Sequence, residues 1–288
     1  MKNLRKRLAC LLLSALLLIG CLPVTALAAE NGFILVVEAG GKLVIAPEYI
    51  SCTAGQTAAQ ALSASGHTFT GLDTGMISAI DGVTGNFTRS DENGNYDLSV
   101  SAASIGYLRF SEDMDSRPSD GLKKLMTAMA DYKKKGSDVQ AAAKKEYDTA
   151  SDLFVGINSE SAKTLASNLN DAVRNYENTL TGEHYPVRFT DGSAAYSDDN
   201  YPGVSITAVN AYGKQWTDDG DGVLELPKGD YTFCVEQAGL RVEGKITVSA
   251  AATVSAELPQ SEWLITDTFR VSGSFGEETN KDNKFTDE

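Results

Sequence analysis

Between Ser119 and Leu180 apolar residues recur every three or four positions, while on either side of that stretch they tend to recur every second position. A chain whose period changes twice cannot be one uniform layer; it must place helices and strands in separate stretches. The helical stretch carries three stripes: Leu122, Leu125, Met126 and Met129; Val139, Ala143, Tyr147, Ala150 and Phe154; Leu165, Leu169, Ala172, Val173, Tyr176 and Leu180. Gly136-Ser137 and Gly156-Ile157-Asn158 punctuate them, and Ser119, Ser137 and Asn158 are placed to cap the helix that follows each. Short amphipathic helices cannot bury such stripes singly, so a three-helix bundle over residues 118–182 is expected.

Before it, FILVVE, the pair Gly40-Gly41 and KLVIA predict a β-hairpin. YISCT continues the strand pattern, and TAAQALSAS suits a short helix closed by Gly66. MISAIDG, YDLSV and GYLRFSE return to strand character between turn residues. After the helical stretch come YPVRF, GVSITAV, VLEL, YTFCV, EGKITV and TVSAEL, short strands separated by turns at Asp191-Gly192, Gly220 to Gly222, Lys228-Gly229 and Ala238-Gly239. That spacing predicts an antiparallel sandwich. The expected fold class is multidomain α+β: leader 1–29, β domain 30–115, helices 118–182, sandwich 184–259, and residues 260–288, around Trp263, as a tail or the start of a truncated further domain.

The leader combines Lys2, Arg5, Lys6 and Arg7 with the apolar run LACLLLSALLLIG, Pro23 and the small-residue site Ala26-Leu27-Ala28. This is the layout of a secretory signal peptide cut near Ala28 or Ala29. Gly20 and Pro23 interrupt the run, which falls short of the roughly 20 residues of a membrane span. Leu18-Ile19-Gly20-Cys21 resembles a lipobox, so lipidation at Cys21 is the rival; a membrane would be reached only through such a lipid or a missing anchor. Removing the four basic leader residues moves the formal charge from −14 to −18 (25 − 4 basic against 39 acidic). So acidic a surface repels phosphate backbones, and nucleic acid is not an expected partner. Cys52 and Cys234 alone remain, each among alternating apolar residues, and are expected as free, buried thiols.

No H-E-x-x-H, paired C-x-x-C or G-x-S-x-G occurs, Gly40-Gly41-Lys42 lacks the spacing of a phosphate loop, and His67 and His184 lie in turn-like or linker surroundings. The stretch TDDGDGVLELPKGDYTF most invites a metal reading. In the best calcium-loop register Thr217, Asp219, Asp221 and Gly222 fit, but the twelfth position is Lys228 where a second carboxylate belongs. As two strands with their turns the stretch accounts for itself: Val223 to Leu226 alternates, and Tyr231, Phe233 and Val235 share a face. No catalytic residue, cofactor or metal is assigned, and the chain is not expected to be an enzyme. Trp216, Tyr212, Tyr196 and Tyr201 would form a sugar-stacking platform if exposed together.

Two resemblances add to this reading. VSITAVNAYGKQWTDDGDGVLELPKGDYTFCVEQAGLRVEGKITV resembles carboxypeptidase regulatory-like and collagen-adhesin B-type β-sandwich modules, whose layout of strand, T-D-x-x-G, strand, L-P-x-G-x-Y-x-F and strand it shares. That resemblance implies an Ig-like sandwich in an exported bacterial surface protein, with a structural, spacer or adhesive role. Pilus modules of this kind can carry a Lys–Asn isopeptide bond, for which no partners stand out. ISCTAGQTAAQALSASG followed by GMISAIDGV is similar to the β-grasp domain at the C-terminus of transcobalamin-like proteins; the Trp-x-Tyr strand that usually follows is absent, so cobalamin binding is not carried over. The expected partner is a host or cell-wall glycan or a protein ligand. The alternative is an extracellular glycan or small-molecule binder acting through the β-grasp-like domain, which a concave, aromatic-lined pocket in residues 33 to 111 would favour.

Overall fold

The computed structural model describes residues 31–92, 94–112 and 118–259, and the backbone of two short strands at 269–270 and 284–285. Cys21, Ala28, Ala29 and the rest of the leader lie outside the described residues, as does Trp263. The described chain is a mixed α/β protein with four α-helices and several small sheets, none closed into a barrel. It divides into two compact units, Met1–Gly136 with Ala142–Arg174, and Ser137–Ala141 with Asn175–Glu288.

The first unit is built on a four-stranded sheet. Strands β1 (Gly32–Ala39) and β2 (Lys42–Ser51) form the expected hairpin. Gly40 and Gly41 both sit at positive φ, the conformation a two-residue turn demands and only glycine adopts freely. Next come helix α1 (Ala58–Ser63), a small meander of β3 (Phe69–Thr70), β4 (Ala79–Ile80) and β5 (Val83–Thr84), and strands β6 (Thr88–Asp91) and β7 (Tyr107–Ser111). The order is β2-β1-β7-β6, with β1 and β7 parallel, Ile34 beside Tyr107 and Val37 beside Phe110. Phe33, Leu35, Val37, Leu108 and Phe110 share a core with Ala58, Ala61 and Leu62 of α1 and with Ile77 and Ile80.

The stretch YDLSV, expected as a strand, forms none. The carbonyls of Leu98 and Val100 accept the Ala59 and Ala58 amides at 3.1 Å each. The otherwise unpaired donors at the start of α1 thus take up the backbone that a ladder would have used. Thr57 and Gln60 complete that end as a reciprocal capping box.

The helical stretch forms α2 (Asp120–Lys133), α3 (Ser137–Asp152) and α4 (Ser159–Leu180). Ser119 caps α2 and Asn158 caps α4, accepting from Leu122 and Ser161. Ser137 does not cap α3: it is already inside the helix, and Gly136, with extended backbone, takes the cap position. Helix α2 lies against β2 and β1. Its start meets that of α4 so closely that a Cβ on Gly121 would stand 1.9 Å from the Ser159 carbonyl oxygen. Tyr132 and Tyr147 stack at 4.3 Å.

In the second unit, β8 (His184–Thr190), β11 (Val223–Pro227) and β14 (Ala252–Ser255) form one layer in the order β11-β8-β14. The other layer holds β9 (Ser205–Asn210), β10 (Gln215–Thr217), β12 (Gly229–Gln237) and β13 (Leu240–Val248) in the order β10-β9-β12-β13. Val187 and Phe189 of the first layer meet Ile206, Phe233 and Val235 of the second in one apolar core. The unit is not wholly antiparallel as expected, because β14 runs parallel to β8. The chain changes layer between β13 and β14, and that crossover delivers β14 in the direction of β8.

Candidate functional site

Three places in the described residues concentrate groups that could act on another molecule.

The first is an open groove of about 780 Å³ in the first unit. Its walls come from the segments flanking the β4–β5 meander and from β6. Met76 and Tyr96 line it with 80% and 50% of their surface exposed, with Phe87 between the walls. Ser78, Thr84 and Asn86 add hydroxyl and amide groups. The Arg89 guanidinium donates to the carbonyls of Gly75 and Tyr96 and so ties the two rims together. Among the described residues no carboxylate lines the groove, and Glu112 comes near it only behind Gly85. The mix of aromatic, thioether and uncharged polar groups, with the Arg89 guanidinium engaged on backbone carbonyls, suits a ligand with an apolar face.

The second place is His67. Its Nδ1 lies 2.7 Å from Asp81 Oδ2, and its Nε2 is bonded to Glu48 Oε1. Glu48 turns its other oxygen to the Lys133 ammonium at 3.1 Å, and Lys133 also donates to the Ala46 carbonyl at 2.9 Å. Burial works against the charged ring, but the hydrogen bonds and charges of Glu48 and Asp81 outweigh it and raise the His67 pKa. Asp81 is held in turn below its ordinary value: burial opposes this, and the Thr68 amide and the His67 ring prevail.

The third place is the loop between β10 and β11. Carboxylate oxygens of Asp218, Asp219 and Asp221 lie within 4.8 Å of one another. Asp218 already accepts the amides of Gly220, Gly222 and Val223 at 3.1 to 3.2 Å, and Asp221 accepts Val223 at 2.8 Å. Burial, with Asp221 beside it, raises the Asp218 pKa. The loop is therefore organised around its own backbone, as a turn between strands would be. Asp218→Ala leaves those amides short of an acceptor, and urea unfolding should show the second unit destabilised by about 1–3 kcal/mol. Asp218→Asn, which keeps an oxygen in place, should cost less.

The remaining sequence candidates do not converge. Tyr196 is buried, its hydroxyl donating to the Ala256 carbonyl at 2.6 Å and its ring packed on Tyr201. Trp216 packs edge-on against Tyr231 and Tyr212 against Tyr176, so the four rings expected as one platform are spread over three pairs. Both cysteines are free but only half-buried, not buried as expected. Cys234 alternates with the inward Phe233 and Val235 and so faces outward, opposite Thr207 and Glu243. His184 is exposed and meets only the Gly182 carbonyl among the bonds of its ring. Lys214, Lys228 and Lys245 are all exposed, which leaves the sandwich core of the described residues without a lysine for an isopeptide bond. No protein family, curated protein or solved structure matches the chain.

The groove and the His67 cluster were both missed from sequence. Their residues come from well-separated positions, 48, 67, 81 and 133 in one case and 75 to 96 in the other. The one local signal was Met76, a large apolar residue set between Gly75 and Ile77, which is buried in the core with Ile80.

Proposed function

We propose that this chain is an exported, non-catalytic surface protein with an adhesive role, and that the groove beside the β4–β5 meander is where it binds a neutral glycan. The groove carries this reading: it is concave and aromatic-lined, and it lies in the β-grasp-like part of the chain. Tyr96 offers a ring face for the apolar side of a sugar, while Asn86, Thr84 and Ser78 offer uncharged partners for hydroxyls. The lack of carboxylates on its walls among the described residues suits a neutral ligand better than a cation.

The sheet order of the first unit supports a β-grasp-like fold, since a hairpin, a short helix and a return strand parallel to the first are its defining moves. The two facing layers of the second unit support an Ig-like sandwich of the carboxypeptidase regulatory-like or collagen-adhesin kind, serving as the stalk or spacer. The leader's layout supports secretion to the cell exterior.

A glycan array probed with the mature chain should give saturable binding to neutral saccharides. Tyr96→Ala should weaken it by about 1–3 kcal/mol, the contribution of one stacked anchor residue, with Met76→Ala weaker in effect. Met76 is 80% exposed, so Met76→Ala should not alter unfolding. Binding that persists unchanged in Tyr96→Ala, or no saccharide binding at all, would rule the groove out as the glycan site.

A further inference from the structure

We infer that His67 is held as an imidazolium that clasps the β3–β5 meander to β2, so that losing its proton loosens one wall of the groove. A neutral imidazole has one N–H and one lone pair. Here each ring nitrogen faces a carboxylate oxygen, Nδ1 on Asp81 and Nε2 on Glu48. A neutral ring would set a lone pair against a carboxylate on one side or the other; only the doubly protonated ring donates to both.

The surrounding charges act in the same direction. Glu48 comes from β2, Asp81 from the turn between β4 and β5, and Lys133 reaches Glu48 from α2. Asp73 lines the shallow depression beside His67. Tyr147 of α3 lies in the field of Glu48, but burial, with Tyr132 and Glu48 nearby, pushes it up to about 12 and keeps it neutral. Three carboxylates against one ammonium leave a net negative surrounding that favours the charged ring.

Asp81 makes the clasp mechanical. Its Oδ1 accepts the Thr68 amide and its own amide donates to the Thr68 carbonyl, both at 2.8 Å. It stands at φ 48°, a left-handed conformation that aspartate adopts more readily than most residues and that its two bonds to Thr68 fix here. Glu48 has Lys133 as a second partner, whereas no second cation pairs with Asp81 among the described residues. When the ring loses a proton, the Asp81 side is therefore the one that gives way. The meander it anchors leads on each side into the groove wall, at Ser78 and at Thr84.

The sign follows. A histidine raised in the folded protein contributes fully below its unfolded value, about 6.5, and that contribution is lost as pH rises through the folded value. The clasp is closed in mild acid and opens toward alkaline pH. For each unit by which the folded value exceeds 6.5, opening of the meander becomes about tenfold easier across the titration.

The test uses the mature chain with ¹⁵N-labelled histidine. Both ring nitrogens of His67 should be protonated at neutral pH. Amide protection factors at Ser78, Asp81 and Gly85, which donate to Thr70, Thr68 and Ser78, should fall as pH passes through the His67 titration. In His67→Gln they should be flat over the same range. Should that variant not fold, Asp81→Asn serves: it should lower the His67 midpoint. A single neutral tautomer at pH 7, a pH-independent protection pattern, a fall shared equally by His67→Gln, or an unmoved midpoint in Asp81→Asn would each overturn the inference. Its consequence for ligand rests on the proposed groove, and the two separate cleanly. Glycan binding that weakens with pH in step with the protection factors supports both; a titrating clasp without glycan binding at any pH removes the groove reading alone.

Discussion

Arg109→Ala should destabilise the first unit by about 3–5 kcal/mol, because it leaves a buried carboxylate without its counter-charge. Arg109 and Glu38 are 9% and 6% exposed, on the central strands β7 and β1. The guanidinium donates to both carboxylate oxygens, at 2.6 and 3.1 Å. Loss of one partner is expected to show as lost exchange protection along β1 and β7. The double change Glu38→Leu with Arg109→Met should recover most of the loss, since removing both charges removes the desolvation cost as well. A double variant as unstable as Arg109→Ala would mean that the side chains matter there for shape and not for charge.

Gly222→Ala should cost the second unit about 3–4 kcal/mol, combining a left-handed backbone with a steric overlap. Gly222 stands at φ 79°, and a Cβ there would lie 2.0 Å from the backbone oxygen of Tyr196. That oxygen has no room to retreat, because Tyr196 is buried and its hydroxyl holds the Ala256 carbonyl and the Leu258 amide. Gly203→Ala is the control: the φ is similar, 73°, but nothing lies within 4 Å of the added carbon. It should cost only the backbone part, about 1–2 kcal/mol. Denaturant unfolding of the two variants side by side separates conformational strain from overlap; equal losses would show that the approach to Tyr196 is softer than the geometry implies.

Gly222 also marks the limit of what the sequence conveyed. The residues around it could be recognised as a turn from composition, because glycine and aspartate have local reasons to be there. Local reasons likewise made the Gly40-Gly41 hairpin, the Ser119 and Asn158 caps and the helical stripes legible. Ser137 misled because serine is a good cap in general, while Gly136 already supplied the extended backbone needed. YDLSV misled because alternation reports which side chains turn inward, not what the backbone bonds to; Leu98 is buried as the pattern implies, but its carbonyl serves α1. Strand β10 was overlooked because three residues are too few to show a period, and its pairing of Trp216 with Ala208 is settled by β9. The His67 cluster had no local signature at all: an imidazole, two carboxylates and an ammonium from four distant positions meet only once the sheet and α2 are in place.

The parallel pairing of β1 with β7 has a kinetic consequence. Ile34 finds its neighbour Tyr107 only after the hairpin, α1 and the whole meander have been made, and closing so long a loop is costly until the contacts it brings are formed. The β1–β2 hairpin can form early, but Phe33, Leu35 and Val37 have no lasting cover until the return strand arrives. A nascent chain that has not yet released Phe110 should therefore hold this hairpin without a completed core, and premature collapse is the hazard that its synthesis has to outrun.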